Sequence, residues 1–84
     1  MQKFEVIVSD PVGIHARPAG VLVKEAQKLS SDITIFCNGK MADAKKLLAV
    51  MSLGAKCQDT LAVSVEGENE LNDVVQIKKI LEQL

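Results

Sequence analysis

The hydrophobic period of this 84-residue chain switches repeatedly between two residues and three to four, so strands and helices must share one small fold. Phe4, Val6 and Val8 alternate with Glu5, Ile7 and Ser9, which predicts a half-buried strand from Gln2 to Ser9. Asp10-Pro11-Val12-Gly13 breaks it. From Ala16 the apolar residues Ala19, Leu22, Val23, Ala26 and Leu29 form the stripe of an amphipathic helix, with Pro18 near its start, where a missing N–H costs nothing. Ser30-Ser31-Asp32 closes that helix. Ile33 to Cys37 is a strand, and Asn38-Gly39 is a hairpin turn leading into a shorter strand over Lys40 to Ala42.

Lys46 to Leu53 has helical spacing, with Leu47, Leu48 and Met51 on one face and Gly54 as a left-handed stop. Its start is poorly marked. Thr60 to Glu66 alternates again, Leu61, Val63 and Val65 facing one way. Gly67 ends this strand, Asn69 is a cap residue, and Glu70 and Asp73 suit the positive end of a last helix. Leu71, Val74, Val75 and Leu81, with Ile77 as a further candidate, are read as its buried stripe. The order β-α-β-β-α-β-α without a linker or repeat predicts one α+β domain over residues 1–84, an antiparallel sheet covered on one face by helices.

Phe4 and Phe36 are the only aromatics, so the core must be aliphatic. A chain this short buries only about 60% of the surface its unfolded form exposes. Ten basic and eleven acidic side chains, neither clustered by sign nor interleaved with aromatics, argue against nucleic acid as a partner. No apolar run approaches the length of a membrane span and no signal pattern opens the chain, so a cytoplasmic protein is expected. Cys37 and Cys57 are expected as free thiols, and two cysteines with one histidine fall short of a four-ligand zinc site.

His15, the only histidine, stands between the Pro/Gly loop and the first turn of the first helix. A helix N-terminus offers unpaired N–H groups and partial positive charge, a ready place for phosphate. Arg17 adds a planar, permanently charged donor for phosphate oxygens. This positive surrounding favours the neutral imidazole that a nucleophile needs, and an attached phosphoryl group would reverse the effect. By spacing alone such a histidine is more often an ordinary capping or surface residue than a catalytic one, and composition alone would give an interaction domain without phosphate chemistry.

The run Gly13-Ile14-His15-Ala16-Arg17-Pro18-Ala19 resembles the phosphorylation motif of the HPr family, the histidine-containing phosphocarriers of the bacterial phosphoenolpyruvate-dependent sugar phosphotransferase system. Length, element order, Asn38-Gly39-Lys40, Met51-Ser52-Leu53-Gly54 and Val65-Glu66-Gly67-Glu68 are similar as well. The resemblance implies an open-faced sandwich, a four-stranded antiparallel sheet with three helices on one face. It implies a stoichiometric carrier rather than an enzyme, in which His15 takes a phosphoryl group on Nδ1 from phosphorylated enzyme I and passes it to sugar-specific IIA proteins. Arg17 would assist transfer, and the backbone N–H groups of Ala16 and Arg17 would receive the phosphate oxygens. No cofactor or metal is implied, and a monomer is expected. A paralogue serving a nitrogen-related or regulatory relay would use the same His15.

Leu47, Leu48 and Met51 match the family's docking positions, with Gly20, Lys24, Lys46 and Gly54 around them and Lys45 and Arg17 in a basic rim. Many family members carry a regulatory serine where this chain has Lys46, which accepts no phosphate. Lys46 also removes a natural helix cap, a loss of about 0.5 to 2 kcal/mol if the helix begins there, unless Asp43 caps in its place. Ser52 matches no phosphosite of the family. Gln27 and Gly20 are milder departures, where lysine and alanine are common.

Overall fold

The computed structural model describes residues 1–14 and 16–84. Four strands, β1 (Gln2–Ile7), β2 (Asp32–Cys37), β3 (Lys40–Asp43) and β4 (Thr60–Glu66), form one sheet in the order β1-β4-β2-β3. Every neighbouring pair is antiparallel. β1 and β2 both pair with β4, so they run parallel to each other, and the connection between them must cross over the sheet. That crossover carries α1 (Ala16–Ala26); α2 (Leu47–Ser52) carries the second, from β3 to β4, and α3 (Glu70–Gln83) follows β4.

All three helices cover one face of the sheet. Ile33, Ile35 and Cys37 of β2, Ala42 of β3, and Leu61, Val63 and Val65 of β4 point into this layer and meet Ala19, Leu22, Val23 and Ala26 of α1, Val50 of α2, and Ile77 and Leu81 of α3. The other face stays open, as an open-faced α+β sandwich requires. The β2–β3 turn is made by Asn38 and Gly39, both at positive φ (54° and 76°), the backbone that a two-residue hairpin needs. Gly54 stops the chain after α2 at φ 63°.

Three expectations are corrected. In α3 the inward positions are Asp73, Ile77 and Leu81, while Leu71 and Val75 are exposed. Each of those two lies two residues, or about 200°, around the helix from an inward side chain. Polarity misled here because a carboxylate fills a buried position. Asn69 occupies the N-cap of α3 without a side-chain cap bond, its amide instead donating to Ser30 Oγ at 3.2 Å. Glu70 takes over at this end, accepting from Gly67 N at 3.4 Å and pairing with the N-terminal ammonium at 2.7 Å.

Asp43, finally, does not cap α2. Its Oδ1 accepts from the N–H of Lys45, two residues on, closing a turn ahead of the helix. Lys46 is the N-cap and makes no side-chain cap bond.

Candidate functional site

His15 itself lies outside the described residues. Gly13 donates its N–H to Asp10 O at 2.9 Å, and Asp10 Oδ1 accepts from Val12 N at 2.8 Å, which folds residues 10–13 into a tight turn. Gly13 has φ 85°, and a Cβ there would lie 2.5 Å from Ala55 O, so only glycine lets the two backbones approach this closely. Ile14 N–H then donates to the same Ala55 oxygen at 2.9 Å. The segment leading into position 15 is therefore clasped to the segment that follows α2.

That second segment is itself braced. Asp59 accepts from Lys56 N–H at 2.9 Å and from the Asn38 amide at 3.1 Å, and Val8 and the 58–59 backbone exchange two hydrogen bonds. The Asp59 carboxyl is held below its ordinary pKa, first by the Lys56 N–H and then by the Asn38 amide. It remains an anion that anchors the loop at neutral pH.

On the other side of position 15, α1 starts at Ala16. Pro18 and Ala19 are buried while Ala16 and Arg17 are exposed, so the helix starts with its Ala16–Arg17 edge toward solvent. No acidic residue lies in that turn to compete with an anionic ligand. An exposed helix start with an arginine and no carboxylate is chemically suited to an anion such as phosphate.

α2 runs antiparallel along α1. Gln27 Nε2 reaches Lys45 O at 2.9 Å at one end, and the Ile14–Ala55 bond closes the other. Val50 and Leu53 turn into the core, leaving Leu47, Leu48 and Met51 on the outer face at 41%, 79% and 38% exposure. Gly54 is exposed and Gly20 half-buried, with open space where a Cβ would stand. Arg17, Gly20 and Lys24 follow one stripe of α1 on the same side of the molecule, joined by Val21, an exposed apolar residue that polarity patterning had not singled out.

Lys46 is exposed at the start of α2, but Lys45 is not part of this rim. It is half-buried, and its Nζ donates to Leu29 O at 2.8 Å near the end of α1. Both cysteines are free, and burial, with Asp59 second, pushes the Cys37 thiol up, which disfavours the reactive thiolate. Among the described residues no group of His, Cys, Asp or Glu side chains is placed to hold a metal ion, and no helix is long and apolar enough to cross a membrane.

The fold defines a class of small open-faced α+β sandwiches, here with an exposed helix start clasped to a second loop. Residues 2–83 match the family model described as the phosphotransferase system HPr component phosphorylation site. The chain belongs to the HPr family of phosphocarriers. It is 42% identical over 79 residues to the phosphocarrier protein HPr of Mycoplasma capricolum, covering 94% of this chain and 88% of that protein. The solved histidine-containing phosphocarrier protein of a mycoplasma superposes with a TM-score of 0.90 at 39% identity, over 94% of this chain and 90% of that one. HPr from Thermoanaerobacter tengcongensis gives a TM-score of 0.90 at 30% identity, over 98% and 92%. A dimer of that protein has also been solved, with a TM-score of 0.76 over 99% and 95%.

Proposed function

We propose that this chain carries a phosphoryl group on His15, accepted from phosphorylated enzyme I and passed to sugar-specific IIA proteins. The match of residues 2–83 to the family model described as the HPr component phosphorylation site is the observation that most supports this reading. An imidazole nitrogen of His15 attacks phosphorus as the bond to the donor breaks, and the reverse step returns the group to the next acceptor. The carrier must supply a neutral nucleophile, in-line placement and compensation for charge on the transferring group. The exposed first turn of α1 and Arg17 suit that last task.

Leu47, Leu48 and Met51 supply an apolar docking centre, with Arg17, Lys24 and Lys46 as a cationic rim that speeds encounter with acidic partners. Lys46 removes the regulatory hydroxyl, and Ser52 is no substitute because its Oγ donates to Leu48 O at 2.6 Å within the helix. Regulation by serine phosphorylation is therefore not part of this proposal. We place the protein in the cytoplasm with its partners, acting as a monomer. Of the two edge strands, β1 and β3, β3 spans only four residues and carries Lys40 and Asp43, features that discourage edge pairing.

The test is incubation with enzyme I and phosphoenolpyruvate, followed by intact mass measurement. One acid-labile, base-stable phosphate is expected, and it should disappear with His15→Ala. A chain that takes up no phosphate, or takes it up equally without His15, would overturn the proposal. Transfer onward to IIA proteins of sugar permeases, rather than to those of a regulatory relay, separates the two readings of its pathway. Sedimentation across micromolar concentrations tests the monomer.

A further inference from the structure

We propose that the open face of the sheet is a second docking surface, for a cationic amphipathic protein segment. That segment would set an apolar anchor over Phe36 and Met41 and place lysine or arginine against Asp32 and Glu66. The surface follows from the register. Ala62 pairs with Phe36, and Phe36 with Met41, so three apolar side chains stand in one row across β4, β2 and β3. Phe36 is 43% exposed and Met41 70%, on a face whose ordinary occupants would be polar. The small side chains of Ala62 and Ser64 leave a shallow groove between Phe36 and the β1 residues Lys3 and Glu5.

The charges around this row have one dominant sign. Asp32 faces Glu66 directly across β2 and β4, Glu5 flanks the row on the β1 side, and Asp43 flanks it on β3. Among the described residues Lys3 is the one cation of the open face, which carries four carboxylates against that ammonium on a chain whose net charge is only -1. An apolar centre with a charged rim is the anatomy of a protein interface, and this rim selects a basic partner. It also argues against nucleic acid or an anionic membrane, and against self-association through the same face, which would bring eight carboxylates together.

The spacing narrows the partner further. Asp32 is four residues from Phe36 along β2, or about 13 Å. A segment with an apolar anchor and basic residues about 13 Å away matches, which in a helix means a little over two turns. The surface lies on the side of the sheet away from α1 and α2, so a partner here would not compete with one at Leu47 and Leu48. The inference does not depend on the phosphocarrier reading.

The probe is a synthetic amphipathic helix with a leucine pair at one end and a lysine pair two turns away, titrated into the 15N-labelled protein. Saturable shifts centred on Thr34, Phe36, Met41, Ala62 and Ser64 are expected. Met41→Thr should weaken the affinity at least tenfold, and Asp32→Asn with Glu66→Gln should do the same and flatten its salt dependence. Thermal melts confirm that these exposed substitutions leave the fold intact. Shifts on α1 or α2 instead, equal affinity for a glutamate-for-lysine control peptide, or unchanged affinity of the charge variants would overturn the proposal. So would concentration-dependent shifts without peptide, which would assign the face to a second copy of the chain.

Discussion

Removing the Asp73 carboxylate should destabilise this domain more than its position near a helix start suggests. Asp73 is 3% exposed, and its Oδ2 accepts the Ser31 N–H at 3.1 Å across the join between α3 and the start of β2. The Asn72 amide adds a bond at 3.3 Å. Its carboxyl is held below the ordinary carboxylate range, first by the Ser31 hydroxyl, then by the Ser31 N–H, the Asn72 amide and the charge of Lys45, against the opposing effect of burial. The Ser31 hydroxyl is buried nearby without closing a hydrogen bond of good geometry, so the magnitude rests on the N–H contact. A buried hydrogen bond to a charged group is worth about 1.5 to 3 kcal/mol. A carboxylate in the first turn of a helix contributes about 0.3 to 1 kcal/mol more.

Asp73→Ala removes both and leaves the Ser31 N–H without its acceptor, so a loss of about 3 kcal/mol is expected. For a domain of this size that lowers Tm by about 12 to 24 °C. Asp73→Asn keeps an oxygen acceptor and should cost about 1 kcal/mol. The pH dependence has a definite sign. Because folding lowers the Asp73 pKa, its contribution is complete above the unfolded value of about 3.9 and is lost as pH falls through the folded value. Urea titrations of wild type and Asp73→Asn at pH 7 and at pH 2.5 should therefore show a gap that narrows on acidification. Asp59 and Glu70, also lowered, titrate in both proteins and cancel in the difference. A loss below about 1 kcal/mol for Asp73→Ala, or a gap unchanged by acid, would refute the reasoning.

Lys46→Ser supplies the missing cap of α2 and removes a cation from its positive end, so it should gain about 0.5 to 2 kcal/mol in urea unfolding, whereas Lys46→Ala removes only the cation and should gain less, about 0.3 to 1 kcal/mol at most. Gly13→Ala sets a Cβ against Ala55 O at a backbone conformation alanine resists; a loss of about 2 kcal/mol or more is expected, with the largest amide shifts at Ile14 and Ala55. Leu48→Asn, at a side chain 79% exposed, should change stability by less than about 0.5 kcal/mol while slowing phosphoryl transfer from enzyme I several-fold. Raising ionic strength should slow the same transfer, because the exposed cations Arg17, Lys24 and Lys46 act over a screening length of about 10 Å at 0.1 M salt.

The elements were legible where a residue's own neighbours decide its conformation. Alternation marks β4 at its actual limits, Thr60 to Glu66, and Asn38-Gly39 forces its hairpin because few other pairs tolerate two positive φ values in succession. What stayed hidden depends on partners distant in the chain. Ser31 and Asp73 are 42 residues apart, and only the fold shows that the N–H of one makes burial of the other's carboxylate tolerable. Polarity patterning therefore counts Leu71 and Val75 in the inward face of α3 beside Val74, Leu81 and Ile77, and leaves Asp73 out. Lys45 reads as one more surface cation until Leu29 O is found at the end of it.

The candidate site shows the same division. Its chemistry-bearing residues sit within one heptapeptide and are readable there, whereas the Gly13–Ala55 clasp joins the ends of two crossovers. Those crossovers exist because β1 pairs with β4 rather than with β2. Strand order thus decides that α2 lies along α1, with its outer leucines on the same side as Arg17 and Lys24. A single local motif cannot encode that placement.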